Sequence, residues 1–596
     1  MKIKKKKIIF VISFLFSIFI GYFIWGLIEL EFIDRGIIGE YSKKNHHALN
    51  DILRYLSFLL LPTLTLLFYK YNKNQSFLSD IKIFFCANEE NDLEKSFKLN
   101  LFLVFLILLL LASFLSVNFS TPMIDSYHEG QRMSSAYKNF LDGSMWSGSY
   151  ITVGIFYETL SSSIFWKFFD HVSIGIARYA DSFYILIFKL LSIFFIYLLT
   201  KLTNLDQNKK IIFFLINSIF FVSLLNYEVG DVGSISFREI PIILLLILFI
   251  FLISRKNSFL PIILVSVLTL LSMFWSIDRG LIYNILTLLI LFYLFLSKRY
   301  LHGFLLLLSI MIVWSSFFLV SKNEFQYFIQ NTYLIYKEMS YVHGIIHPTP
   351  FSNEPNSSRA TKTILLILIC LLISVNIIFK KEYPINFKRV IFFLTLVSVG
   401  SYLYALGRSD GPHIKNSFGF PLITVLIFLT YLFVKNTKIV SKFNHKIICS
   451  ILIIFTIVIS EIKPSNIFSI KERLNKYLYF EDKVYLNETE KELINFLNSK
   501  VGSFECIQLF SNDTALYYLL RKKSCTKFYF VWSASSKFNQ LRFIDELEKV
   551  NLIIDGGPKN DWDYPLKEKL YLVDEYIRMN FKKMESYQSW NILIRN

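Results

Sequence analysis

The chain has 596 residues, 54% of them hydrophobic, with 62 phenylalanines and a mean hydropathy of +0.47. So much apolar surface excludes a water-soluble globular chain and points to a polytopic membrane protein. The formal charge of +18 would suggest a nucleic-acid partner in a soluble protein; here it fits basic loops beside anionic lipid, and no nucleic acid is expected.

The N-terminal Met1-Lys-Ile-Lys-Lys-Lys-Lys7 and the apolar stretch after it imitate a signal peptide. The run reaches about twenty residues without a small-x-small cleavage pattern, so it reads as an uncleaved first span. Apolar runs of spanning length lie near 8–28, 52–69, 99–118, 183–200, 211–226, 240–254, 259–275, 281–297, 301–320, 363–379, 390–406, 417–434 and 446–461. Thirteen spans put the two termini on opposite sides. With the N-terminus in the cytoplasm, the inner segments carry 25 Lys and Arg in 72 residues and the outer loops 14 in 157, as the positive-inside rule requires. High Lys, Ile, Asn and Phe suits an AT-rich bacterial genome, and the expected place is the bacterial cytoplasmic (inner) membrane.

Under this topology the polar clusters share the outer face, in loops 119–182, 227–240, 321–361 and 407–416. The first loop opens with Thr121-Pro-Met-Ile-Asp-Ser-Tyr-His-Glu-Gly-Gln-Arg132, directly after a span. Asp125 and Glu129 are four apart, which on a helix points both to one side. Residues 153–169 mix Phe, Trp and Ile with Glu158 and Lys167, and read as one or two helices lying in the interface plane. Later loops add Glu228 and Asp231, the Asp278-Arg279 ion pair, His343 and His347, and Arg408, Asp410, His413 and Lys415. The His343/His347 spacing would suit a metal on a helix, but Pro348 and Pro350 argue against a helix there.

Residues 1–461 thus form the transmembrane domain, and 462–596 a charged extracytoplasmic domain without a span. The tail alternates helices near 488–499, 513–522, 537–549 and 566–580 with strands near 506–511, 527–533, 551–555 and 585–594, predicting an α/β fold with a largely parallel sheet. Outside the cell Cys506 and Cys525 can form a bridge, although two free thiols fit the sequence equally. Cys86, Cys370 and Cys449 read as packing or loop residues. No Gly-rich phosphate loop succeeds the first two strands, so no nucleotide is expected there.

A lipid-linked sugar presents its phosphate at the membrane surface. Moving the sugar to a hydroxyl needs a base, and positive charge or a metal on the departing phosphate. Asp125 is the candidate base, with Glu129 tuning it or joining it around a divalent cation such as Mg or Mn. His128, Arg408, His413 and Lys415 are candidate donors to the substrate phosphate; the alternative for Arg408 is a pair with Asp410.

An acid-bearing outer loop, interface helices behind it and an outer α/β tail together resemble the GT-C-type membrane glycosyltransferases. Ser511-Asn-Asp-Thr-Ala-Leu-Tyr-Tyr-Leu-Leu520, Phe528-Tyr529 and Gln540 to Glu548 are similar to soluble tails attached to such enzymes. The resemblance implies a cell-envelope glycosyltransferase with a polyprenyl-phosphate sugar donor and a hydroxyl acceptor on a glycan, lipid or protein. It puts Asp125 in the place of the family's essential loop carboxylate and Glu129 as its partner. The chain departs from the family pattern in having two extra spans before the acidic loop, and in acids four residues apart rather than adjacent or one apart. Three other readings compete. A polysaccharide polymerase or ligase would centre on Arg408 and His343–His347 and leave Asp125 dispensable. A transporter or lipid flippase would place ionisable groups in mid-span, where Lys189 is the plainest example. A non-catalytic scaffold would not require the acids to cluster.

Overall fold

The structure, a computed structural model, describes residues 2–87, 97–116, 123–224, 235–255, 258–436, 445–459, 462–560 and 564–596. Each of the thirteen apolar runs falls on a helix within the described residues. Among the described residues nine helices are long and apolar enough to cross a membrane by length and composition. The other four, Gln207–Leu224, Ile240–Ser254, Leu260–Trp275 and His445–Ile459, are shorter or less apolar. The short helix Ile240–Ser254 is apolar all round because it is central: 13 of its 15 residues are buried. Tyr300–Val320 is its opposite, a peripheral helix with three buried residues.

In lipid the apolar effect does not separate helix–helix from helix–lipid contact, so close packing and small polar links hold the bundle. Ser374 meets Thr395 at 2.5 Å and Ser398 meets Thr424 at 3.3 Å, joining Ser357–Ile378, Ile385–Gly407 and Gly419–Asn436 at about 0.6 kcal/mol per link.

Loops expected on one side meet at one end of the bundle. At the basic end, Arg389 donates to the carbonyls of Phe84 and Ala87, Arg299 to that of Leu252, and Lys209 to that of Lys435. At the opposite end, Arg178 meets Glu129 and Arg238 meets Asp278.

The first large loop at that second end folds into the helix His128–Asp142, one π-helical turn Phe156–Leu160 and the helix Ser161–Phe169. The last two lie where one or two helices are expected, over 153–169. The tail carries five strands, β1 Cys506–Phe510, β2 Lys523–Ser524, β3 Leu552–Gly556, β4 Phe581–Tyr587 and β5 Trp590–Arg595, in the order β2-β1-β3-β5-β4. β2, β1 and β3 are parallel, while β5 and β4 add antiparallel, so the sheet is mixed rather than largely parallel. The difference has two sources. Residues 585–594, read as one strand, belong to a hairpin that turns through Gln588 at φ 53°. The apolar run 527–533 is not a strand. Phe528 to Trp532 are all buried, and Val531–Ala534 forms a 3₁₀ turn packed against the loop helices. A short apolar run cannot announce its own period. Cys506 and Cys525 are disulfide-bonded, tying β1 to the residue after β2.

The tail shares a core with the membrane-proximal loops. Trp146, Tyr150 and Phe328 lie in one apolar cluster with Phe510, Phe528 and Ile553. Gly130 is one of the places where the two parts touch closely: a Cβ there would lie 2.4 Å from the Ala515 amide nitrogen.

Candidate functional site

Asp125 lies three residues before the first residue of the helix His128–Asp142. Its Oδ1 accepts the amides of Tyr127 (3.0 Å) and His128 (3.2 Å), and its Oδ2 meets His128 Nδ1 at 2.7 Å. An aspartate three residues ahead of its partner can bond both that residue's backbone and its side chain. Burial pushes the carboxyl upward, but the hydrogen bonds and charge from His128 outweigh it and hold Asp125 at about 2. Both side chains of the pair are about 40% exposed.

Glu129 is placed otherwise. Its two oxygens receive Arg178 Nε and Nη2, each at 2.8 Å, and Oε2 also accepts the Asp125 amide at 2.9 Å. Glu129 and Arg178 are both buried. The two acids therefore do not act from one helical face, because the helix starts only at His128. Glu129 is a brace for the turn that carries Asp125. With its oxygens committed to Arg178 it does not fit a cation shared with Asp125, and among the described residues no group of three His, Cys, Asp or Glu is arranged to hold a metal.

A second Asp-x-x-His turn repeats the first. Asp410 caps the short helix Gly411–Asn416, accepting the His413 amide at 2.9 Å while the same oxygen meets His413 Nδ1. Its other oxygen accepts Arg408 Nε at 2.9 Å. The Arg408–Asp410 pair weighed from the sequence is thus present, yet it uses only one guanidinium nitrogen. Lys415 is exposed on the same short helix.

The two turns come together at His343, the last residue of the helix Lys322–His343. Its ring stands perpendicular to Trp532 of the tail at 4.0 Å, and its buried Nδ1 has no hydrogen-bond partner among the described residues. Burial, and after it the positive charges of Arg408, Lys569, His413 and His128, holds this imidazole well below its ordinary range, so it is neutral at pH 7. Lys569 Nζ lies 4.0 Å over the Trp532 ring and donates to the Val342 carbonyl at 3.0 Å. Tyr127 bridges Trp532 and His128, with ring centroids 6.0 and 4.8 Å away. His347, the suggested metal partner of His343, points elsewhere: it bonds the Tyr402 hydroxyl at 2.7 Å, beside the buried Asp51.

Packed next to these residues is a set of ion pairs between buried arginines and buried or half-buried carboxylates. Arg132 pairs with Asp181, Arg238 with Asp278 (2.7 Å), and Arg279 with both Asp278 (2.9 Å) and Glu239 (2.5 Å). Arg279 also sits 4.0 Å over the ring of Tyr404, which packs against His413 at 4.9 Å. The Asp278-Arg279 pair read from the sequence is therefore present, and Arg238 and Glu239 of the mixed-charge loop join it as pairing residues. Glu228 and Asp231 lie outside the described residues.

The structure thus brings Asp125, His128, Arg408 and His413 to one end of the bundle around His343. Sequence reasoning missed Arg178, Tyr404, Trp532 and Lys569. Arg178 could have been suspected as an arginine opening an apolar helix; nothing in the sequence marks the other three.

No protein-family model matches the chain, and no curated protein matches it. Among solved structures the chain is similar to ArnT from Cupriavidus metallidurans bound to undecaprenyl phosphate, at 10% identity and a TM-score of 0.43, over 83% of this chain and 98% of that one. It is also similar to the apo oligosaccharyltransferase of Archaeoglobus fulgidus, at 11% identity and a TM-score of 0.44, over 84% and 75% of the two chains. At that level of likeness the chemistry has to be read from the site itself.

Proposed function

We propose that this chain is a membrane glycosyltransferase, taking a sugar from a polyprenyl-phosphate donor to a hydroxyl acceptor at the outer face of the membrane. The observation that supports it most is convergence: two Asp-x-x-His turns, an arginine and a buried histidine, from loops some 285 residues apart (Asp125 to Asp410), meet at the ends of apolar helices. A phosphate anchored in the bilayer by its lipid arrives at that level.

The geometry revises the division of labour read from the sequence. Asp125, held at about 2, is a weak base at neutral pH, whereas catalytic bases work best with a pKa near the working pH. Its service is to hold Nδ1–H of His128, fixing the tautomer in which Nε2 accepts a proton. In the proposed step the acceptor hydroxyl gives its proton to His128. Its oxygen bonds the anomeric carbon, and the bond from that carbon to the phosphate oxygen breaks, the electron pair leaving with the phosphate. Arg408 and His413 face that departing charge, with Lys415 at the rim. No step is routed through a divalent cation.

The test is a membrane assay with a panel of radiolabelled polyprenyl-phosphate sugars, for wild type and Asp125→Asn. Transfer by the wild type and a loss of at least about a hundredfold in the variant are expected. Full activity in Asp125→Asn would remove the Asp125–His128 pair from the chemistry and favour the polymerase or ligase reading centred on Arg408.

A further inference from the structure

The helix Lys322–His343 starts at the end of Tyr300–Val320 and finishes in the cleft. One of its faces, with Phe328, Leu334 and Ile335, is buried in the core shared with the tail. The other is open, with Tyr327 40% and Tyr333 61% exposed. Between that face and Phe318 lies an open groove of about 660 Å³, lined by Tyr327, Tyr333, Asn323, Gln326 and Gln330 among others, with no Asp, Glu, Lys or Arg in its lining.

We propose that this groove is the acceptor-side subsite for a neutral glycan chain, an inference that rests on the glycosyltransferase reading and names its acceptor class. Tyrosine rings offer flat apolar faces to the C–H faces of sugar rings and keep a polar tip in water. The three carboxamides both donate and accept, as hydroxyl groups require. A polyprenyl tail would strand those amides against hydrocarbon, which is costly. No charged residue lines the groove itself, and the two cations at its edge are engaged, Lys337 over the Tyr333 ring at 5.7 Å and Arg542 on the Gln330 oxygen at 3.3 Å. The helix that lines the groove leads on to His343. Tyr333 is ten residues, about 15 Å of helix, from His343, and Asn323 is about 30 Å away, so an occupant spanning the groove and the cleft holds several sugar units.

The test titrates full-length protein in nanodiscs with four neutral probes, maltohexaose, laminarihexaose, chitohexaose and mannohexaose, without donor. At least one should bind, and Tyr327→Ala and Tyr333→Ala should each weaken it by about tenfold or more with unchanged melting, as for exposed aromatic contacts. Asp125→Asn should bind as the wild type does. The proposal is overturned if none of the four binds, if binding ignores both tyrosine variants, or if those variants change only retention of lipid around the protein. Donor-dependent transfer is read separately: its absence with groove binding intact defeats the enzyme reading alone, and transfer without groove binding defeats the groove alone.

Discussion

Glu129 and Asp125 stand four residues apart and carry the same charge, yet the structure gives them different partners, and a pair of substitutions separates them. Glu129→Gln keeps the shape but leaves Arg178, 3% exposed, as a buried cation without its counter-charge. Breaking a buried pair from one side costs about 3–5 kcal/mol, and here the Asp125 amide also loses a charged acceptor for a neutral one. Asp125→Asn keeps an oxygen for the Tyr127 and His128 amides, so at the turn it costs only a few tenths of a kcal/mol; what it removes is the negative charge on His128. Thermal melting of detergent-purified protein, beside turnover of whichever donor is active, reads both effects. Glu129→Gln should melt clearly lower, and Glu129→Met with Arg178→Met should recover part of the loss. Asp125→Asn should melt like the wild type and lose at least about a hundredfold in turnover. If Glu129→Gln instead melted normally and lost turnover as Asp125→Asn does, Glu129 would belong to the chemistry and its role as a brace would be wrong.

Other consequences are more local. Arg408→Lys keeps the charge but loses the planar fork, and should raise KM for the donor about tenfold with little change in melting. Gly130→Ala would drive a methyl into the Ala515 backbone; it should cost more than about 2 kcal/mol and make the tail a faster substrate for limited proteolysis. Asp125 also carries a pH signature. Its folded pKa of about 2 lies below the ordinary value near 4, so its contribution is present above pH 4 and lost as the pH falls toward 2. With about two fifths of the side chain in solvent that contribution is about 1 kcal/mol at most, and the melting difference between wild type and Asp125→Ala should shrink over that range.

Much of the site was visible as a set of suspects. Asp125, His128, Arg408 and His413 stand out because ionisable groups beside apolar runs are costly, and the counting of lysines and arginines put all four at one end. What misled was the spacing of Asp125 and Glu129, which says where two residues lie only once the helix start is known. That start, at His128, comes just after Asp125, whose carboxylate accepts the Tyr127 and His128 amides.

Sequence alone thus settled the features that composition and hydropathy along the chain dictate: many apolar helices, their alternation between two ends, and a mixed helix-and-strand tail beyond them. These are local quantities, since a run of twenty apolar residues has one low-energy state in lipid whatever its neighbours do. Tertiary structure decided which polar groups are spent and which remain for chemistry. Arg178 claims Glu129, Asp410 engages both Arg408 and His413, and Trp532 and Lys569 come to His343 from a tail 189 and 226 residues further on. A charge is neutralised by whatever lies within a few ångströms, and separation along the chain does not record that distance.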